Sequence, residues 1–419
     1  MLSRALYSKM QWDIKSIRSK APLADNFLQT KTHGVNSLWA KTDANGLQRI
    51  DPETLEPIGL AEQTSLHPDL KGPLTAAHAR TDPETGDFFS YNLEFGRLGT
   101  YRVFKVSAAT GETTILATIS GPSAYIHSFF LTADFVIICA WTSHFIAGGL
   151  SILWNRNILD SIGPYNKRKS AKWFVIDRRH GKGLVATYES PAFFAFHSIN
   201  AWQEPSQTDP EKTDIVAEIP VYENLDILHR FYYHNLLSTL PTIPKYQSEK
   251  GDSVRPSLRR YRLPNVPPAG TPLPSRCSPP LQARIDYTIP RKHSLELPII
   301  NSAYLTRPHR YTYGTLDRGL SSFVDGLLKF DSSTREPLIW SQHGHSPGEP
   351  IFVADPAGTA EDDGVLLSVV LDGEADTSYL LVLDARNMKE LGRAFVDGVV
   401  SFGFHGVYVP EGRIISTEW

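Results

Sequence analysis

The segment Arg49-Ile-Asp-Pro-Glu-Thr-Leu-Glu-Pro-Ile-Gly59 sets turn residues between two short apolar runs, and the chain repeats the device. It returns as Ala79-Arg-Thr-Asp-Pro-Glu-Thr-Gly-Asp-Phe-Phe89. Weaker copies are Phe104-Lys-Val-Ser-Ala-Ala-Thr-Gly-Glu-Thr-Thr114, Lys329-Phe-Asp-Ser-Ser-Thr-Arg-Glu-Pro-Leu338 and Val382-Leu-Asp-Ala-Arg-Asn-Met-Lys-Glu-Leu391. These are turns with a mechanism: Asp bonds its own backbone, Pro fixes φ, and Gly supplies a positive φ. Between them lie β-branched and aromatic runs such as Phe135-Val-Ile-Ile-Cys139, Trp173-Phe-Val-Ile-Asp177 and Val365-Leu-Leu-Ser-Val-Val-Leu371. Helical periodicity is scarce, and Asn224 to Leu240 is its best candidate. Many short strands joined by tight turns predict an all-β closed array. At 419 residues a β-propeller is favoured over a sandwich.

Composition narrows the function classes. With 41% hydrophobic and 21% charged residues the chain is of globular type. A net charge of −3 gives no electrostatic case for nucleic acid, which wants a basic face. The two cysteines, Cys139 and Cys277, cannot build a disulfide framework or a cysteine zinc site. They fit a reducing, cytoplasmic setting, and any metal must be held by histidine or carboxylate. Met1 to Lys20 carries basic residues but no apolar core of signal-peptide length. No apolar run approaches the ~20 residues that cross a bilayer. Phe145-Ile-Ala-Gly-Gly-Leu-Ser-Ile-Leu-Trp154 is too short to span; it suits either a peripheral membrane contact or a buried hairpin. The proline-rich, basic stretch Arg255 to Pro280 reads as an extended excursion between blades.

Fourteen histidines are available. Four share one setting, an apolar approach followed by small or turn-forming residues: His78 in Leu74-Thr-Ala-Ala-His, His127 in Ala124-Tyr-Ile-His-Ser, His197 in Phe194-Ala-Phe-His-Ser and His405 in Phe402-Gly-Phe-His-Gly. A histidine in apolar surroundings is ordinarily a hydrogen-bonded core residue. A propeller offers another reading, because inner strands distant in sequence end near one axis, where imidazoles could converge on a transition metal. Spacing alone does not select these four. His343-Gly-His345 is a rival pair expected to face solvent, and His229 and His234 do not share a helical face.

A resemblance decides among these readings. Asp51-Pro-Glu-Thr-Leu-Glu56, Ala77-His-Ala-Arg80, Tyr125-Ile-His-Ser-Phe129, Phe196-His-Ser-Ile-Asn200, Glu296-Leu-Pro-Ile-Ile-Asn301, Glu349-Pro-Ile-Phe-Val353, Glu361-Asp-Asp-Gly-Val365 and Phe404-His-Gly406 occur in an order and spacing that resembles the carotenoid cleavage oxygenase family. The resemblance implies a seven-bladed propeller with Fe(II) on its axis, and loops and short helices forming a cap. It implies four iron ligands, His78, His127, His197 and His405. Family members orient such rings with carboxylates; Glu296 and Glu349 match two of those positions, and the third falls on Asp43 where the family has Glu. The implied reaction adds both atoms of dioxygen across a conjugated double bond of a carotenoid or apocarotenoid, giving two carbonyl products. A rigid apolar substrate needs an aromatic tunnel, for which Tyr125, Phe129, Phe193, Phe196 and Phe404 are candidates beside the ligands.

Within the family, stilbene cleavers carry a lysine just before the first orienting carboxylate. Here that position is Thr42, which favours a carotenoid of the torulene or β-carotene type, and the wording of several segments looks fungal. Stilbene cleavage is the alternative. Nothing in Met1 to Phe27 matches the opening segment of family members, so residues 1–27 are set apart and 28–419 are read as the propeller domain, with its N-terminal blade open to being incomplete. A second alternative follows from that gap: a catalytically weak protein that keeps the metal residues and binds polyenes.

Overall fold

The computed structural model describes residues 38–408, apart from 52, 237–248, 272–279 and 322. The boundary expected at residue 27 lies outside the described residues. The chain divides into two compact units, one reaching Ala192 and including Pro267–Leu281, the other formed by Phe193–Val266 and Gln282–Tyr408.

The first unit opens with a three-stranded sheet, β1 to β3 (Leu38–Lys41, Gly46–Ile50, Pro57–Glu62). In its second sheet, β4 (Leu74–Thr75) and β5 (Arg80–Thr81) both pair with β6 (Phe88–Glu94), followed by β7 (Gly99–Val106) and β8 (Thr113–Gly121). The third runs through β9 (Phe130–Leu131), β10 (Phe135–Ala140), β11 (Ala171–Asp177) and β12 (Leu184–Ser190), extended at β12 by the two-residue β16 (Leu281–Gln282). Phe135 through Trp141 are all buried, which explains why this strand reads as unbroken apolar sequence rather than an alternation.

The second unit holds three more sheets. β13 (Asn200–Pro205), β14 (Thr213–Val221), β15 (Ser257–Val266) and β17 (Arg284–Thr288) form the first. β18 (Glu296–Ile299), β19 (Tyr311–Leu316), β20 (Gly326–Asp331) and β21 (Pro337–Trp340) form the second. In the third, β22 (His345–Pro347) and β23 (Ile351–Ala354) both pair with β24 (Gly364–Asp372), followed by β25 (Thr377–Asp384) and β26 (Glu390–Val396). The last two sheets share a core of Tyr313, Leu327, Leu366, Val370, Tyr379 and Leu381.

The repeated sequence turn is one repeated structure. In each copy the fifth residue returns its N–H to the first carbonyl: Leu55 to Asp51, Gly86 to Asp82, Gly111 to Ser107, Arg335 to Asp331 and Met388 to Asp384, at 2.7–2.9 Å. That fifth residue is left-handed every time, with φ of 58°, 73°, 73°, 62° and 61°. In the four copies that open on an aspartate its side chain ties the turn, as where Asp51 Oδ1 accepts the Glu53 and Thr54 amides at 2.9 Å.

Three expectations need correction. The described residues form six antiparallel sheets, not seven, because sheets of three to five strands consume all twenty-six described strands. Arg255–Pro280 is not wholly an excursion, since β15 is an interior strand of its sheet. Its arginines are interspersed with buried Leu258, Tyr261 and Leu263 and are neutralised by carboxylates, Arg260 by Glu218 and Arg262 by Glu204. His345 does not face solvent; it is buried with Nδ1 2.9 Å from the Tyr379 hydroxyl. The helical candidate becomes two single turns, Asp226–Arg230 and Tyr233–Leu236, and continues past the described residues.

Candidate metal centre

Three of the candidate residues sit in or beside interruptions of strand pairing. Between β4 and β5, residues 76–79 stand against only Ser90 and Tyr91 of β6, and His78 lies in that surplus. Residues 348–350 between β22 and β23 face Ser368 and Val369 of β24, and this surplus carries Glu349. Leu297 and Pro298 of β18 face Gly314 alone, immediately after Glu296. Extra residues of this kind bend a strand and re-aim a side chain. At the third bulge Leu297 takes φ +49°, a conformation few side chains adopt, and Gly314 is needed: a Cβ there would lie 2.5 Å from the Glu296 carbonyl oxygen.

The first unit brings His78 and His127 together. The His78 amide donates to the His127 carbonyl at 3.1 Å, and His78 forms a parallel bridge with Ser128. Their Nε2 atoms are 3.1 Å apart. His127 Nδ1 donates to Asp43 Oδ1 at 2.8 Å, while the Tyr125 hydroxyl donates to Asp43 Oδ2 at 3.0 Å. Asp43 therefore reaches its histidine directly despite its shorter side chain. Its backbone is anchored too, since the Thr75 amide donates to the Asp43 carbonyl at 2.8 Å.

The second unit brings His197 and His405 together, with ring centroids 5.3 Å apart and planes at 75°. His197 Nδ1 donates to Glu296 Oε2 at 2.6 Å, and Glu296 also accepts the Leu297 amide at 2.8 Å and the Tyr222 hydroxyl at 3.1 Å. His405 Nδ1 donates to Glu349 Oε1 at 3.1 Å, and the Gly406 amide binds the other oxygen at 3.1 Å. Burial raises the Glu349 carboxyl above its ordinary value, against the opposing pull of His405. Burial, then the neighbouring carboxylates Asp43 and Glu296, push Tyr125 and Tyr222 well up, so both phenols remain donors.

Each carboxylate thus occupies Nδ1 of one ring and dictates that a metal is met through Nε2. The donor set fits a first-row ion. Two imidazole nitrogens bound at right angles, about 2.1 Å from one ion, lie about 3 Å apart, the separation found between His78 and His127. The other histidines weighed earlier are placed elsewhere: His229 and His234 are exposed, as is His343.

Of the five aromatic candidates, Phe196 packs edge-on against Phe194 and 6.0 Å from the His197 ring. Phe404 is 5.7 Å from Phe231. Tyr125 serves Asp43. Phe129 and Phe193, both outside the strands, are fully buried and pack against Tyr91 and Tyr261 respectively. Sequence reasoning missed Tyr222, Phe231, Phe323 and Phe402, which complete the aromatic cluster in the second unit. Of these, only Phe231 lies in a segment with a sequence signal of its own, the helix-like Asn224 to Leu240.

A family model described as retinal pigment epithelial membrane protein matches residues 5–410. The chain belongs to that family. A carotenoid dioxygenase of Neurospora crassa is 44% identical over 91% of this chain and 63% of its own length. A torulene dioxygenase of Fusarium fujikuroi is 44% identical over 90% of this chain and 67% of its own. The chain therefore spans about two thirds of the length of these family relatives. Among solved structures, an apocarotenoid oxygenase of Synechocystis superposes with a TM-score of 0.66 at 20% identity, covering 90% of this chain and 73% of that one. A cobalt-substituted form of that enzyme gives 0.63 at 21%, covering 91% and 73%. This likeness shows a shared all-β, propeller-like fold.

Proposed function

We propose that His78, His127, His197 and His405 jointly hold one ferrous ion on the propeller axis, and that the protein cleaves a conjugated double bond of a carotenoid or apocarotenoid with dioxygen. The observation that carries this reading is that three of the four rings, spread over both units, have Nδ1 tied to a carboxylate: His127 to Asp43, His197 to Glu296 and His405 to Glu349. Buried structural histidines need no such common arrangement. Family membership and relatives named for carotenoid and torulene cleavage agree with it.

Ferrous iron among neutral imidazoles would supply the electrons and the coordination site that make dioxygen reactive. The chain's own residues do the rest. Asp43, Glu296 and Glu349 hold three rings in one tautomer and orientation, Tyr125 and Tyr222 fill remaining acceptor positions on two of those carboxylates, and aromatic side chains beside His197 and His405 orient a rigid polyene. In the overall reaction the double bond breaks and each of its carbons takes one oxygen atom, so two aldehydes or ketones balance one alkene and one dioxygen. A torulene or β-carotene type substrate is favoured over a stilbene. Thr42, at the position of the stilbene cleavers' lysine, accepts the Ala44 amide at 3.2 Å in a local turn, and the Lys41 ammonium lies 5.1 Å from the Phe88 ring.

The test is anaerobic loading with Fe(II), then addition of torulene or β-carotene and ¹⁸O₂. With the products reduced to alcohols at once, before their carbonyl oxygens exchange with water, label in both is the expected result; label in one alone overturns dioxygenation, and iron uptake without any carbonyl product supports the polyene-binding alternative. The segment 145–154 supports a peripheral membrane contact for collecting such a substrate. It folds into two short turns that expose Ile146, Leu150, Leu153 and Trp154, the last two at 73% and 63%. Among the described residues no helix is long and apolar enough to cross a membrane. Replacing Ile146 and Leu150 by Asp should abolish co-sedimentation with liposomes; unchanged co-sedimentation removes the segment from this role.

A further inference from the structure

One buried arginine in the second unit joins the aromatic cluster to the hairpin that connects β19 and β20. Arg230, 2% exposed, ends the short helix Asp226–Arg230. Its Nη1 donates to the Asp317 carboxylate and its Nη2 to the Phe323 carbonyl at 2.9 Å, while its guanidinium lies 5.7 Å from the Phe323 ring. Arg255 approaches the other Asp317 oxygen at 3.5 Å, and that oxygen also accepts the Gly319 amide at 2.8 Å. On the return side of the hairpin, Asp325 accepts the Arg318 and Leu320 amides and the Arg318 side chain. Among the described residues, the loop is thus bonded to itself and fastened to the helix through the planar fork of Arg230.

What the fork holds in place is a ring. Phe323 stands 5.6 Å from Phe231, 4.5 Å from Phe402 and 5.5 Å from Phe404. Phe231 in turn contacts Phe196 at 5.7 Å, and Phe196 and Phe404 directly precede the two histidines of this unit. Four chain segments thus make one aromatic surface that begins at His197 and His405. Phe323 is its only member among these five contributed by the hairpin.

We infer that Arg230 is a positioning residue for the polyene: by fixing the hairpin it holds Phe323 in the aromatic surface, and so determines which double bond lies over the metal. This rests on the dioxygenase reading above. A lysine could neutralise Asp317 but cannot reach both that carboxylate and the Phe323 carbonyl with a planar fork, so charge alone should not restore the function.

The full chain would be compared with Arg230→Lys, Arg230→Met and Phe323→Leu, measuring iron content, binding of detergent-solubilised β-carotene to the iron-free protein by tryptophan quenching, and the lengths of the aldehydes formed. All three variants should load iron as wild type does, bind the polyene more weakly, release a broader set of aldehyde lengths, and lose on the order of 10²-fold in kcat/KM, the cost of misplacement by ~1 Å. Restoration of wild-type lengths by Arg230→Lys would overturn the inference, leaving Arg230 a simple counter-charge. Should the arginine variants fail to fold, Phe323→Leu decides: unchanged polyene binding and product lengths overturn the proposal. If wild type forms no aldehyde, the dioxygenase reading fails by itself, and the binding comparison still judges the aromatic surface.

Discussion

At the scale of single residues, three of the four imidazoles are gripped from behind by a carboxylate. Glu296 illustrates the grip: its carboxylate accepts from the His197 ring, the Leu297 amide and the Tyr222 hydroxyl at once. Glu296→Gln keeps one acceptor oxygen but brings an NH₂ group where only acceptors are wanted, and it removes the charge that raises ring basicity. Metal affinity should fall roughly 10–100-fold, read by Fe(II) titration. The four histidines could be nominated from the sequence because each lies in a family motif, and apolar flanks alone would have left them as core residues. The aromatic residues were harder. Closeness to a histidine in sequence picked out Phe129 and Phe193, which are fully buried against Tyr91 and Tyr261. Phe323 and Phe402 had no local signal, since their neighbours come from other parts of the chain.

Elements are tied to one another by buried charge as well as by apolar packing. Glu218 on β14 is fully buried and accepts from Arg260 of β15 at 2.6 Å and Tyr287 of β17 at 2.6 Å, with His309 Nε2 at 3.1 Å. Burial by itself would raise this carboxyl; the His309 ring, then Arg260 and Tyr287, outweigh burial and hold it at about 2, below its ordinary 4.5. A depressed acid contributes stability above its unfolded value and loses it as pH falls through the folded one. Urea midpoints should therefore drop as pH falls from 4.5 to about 2. Glu218→Gln should cost about 3–5 kcal/mol at neutral pH, because Arg260 loses its buried partner, and its midpoint should vary less across that acid window. The turn copies were legible as elements: five sequence segments gave five turns with one hydrogen-bond pattern. The interruptions carrying His78 and Glu349, and the one directly after Glu296, were not, because a bulge is defined by the strand opposite, which local sequence does not reveal.

For the whole molecule, the decisive proposal is that ligands from residue 78 to residue 405 share one ion. Metal that binds only the folded chain stabilises it by mass action, by about 2.7 kcal/mol at 100 times Kd. Anaerobic Fe(II) should raise the thermal midpoint of the wild type. His78→Ala in one unit and His197→Ala in the other should each remove that rise and the bound iron. A variant that keeps both takes its ring off the ion. The class of fold was readable from turns and strand composition, whereas the number of sheets was not, since strands of two residues such as β4 and β9 leave no periodic trace. The left-handed leucine after Glu296 also constrains how such a protein can change over time. Any mutation that lets this stretch straighten makes the backbone more comfortable while swinging the carboxylate off its ring, so selection for hardiness and selection for turnover pull this one position in opposite directions.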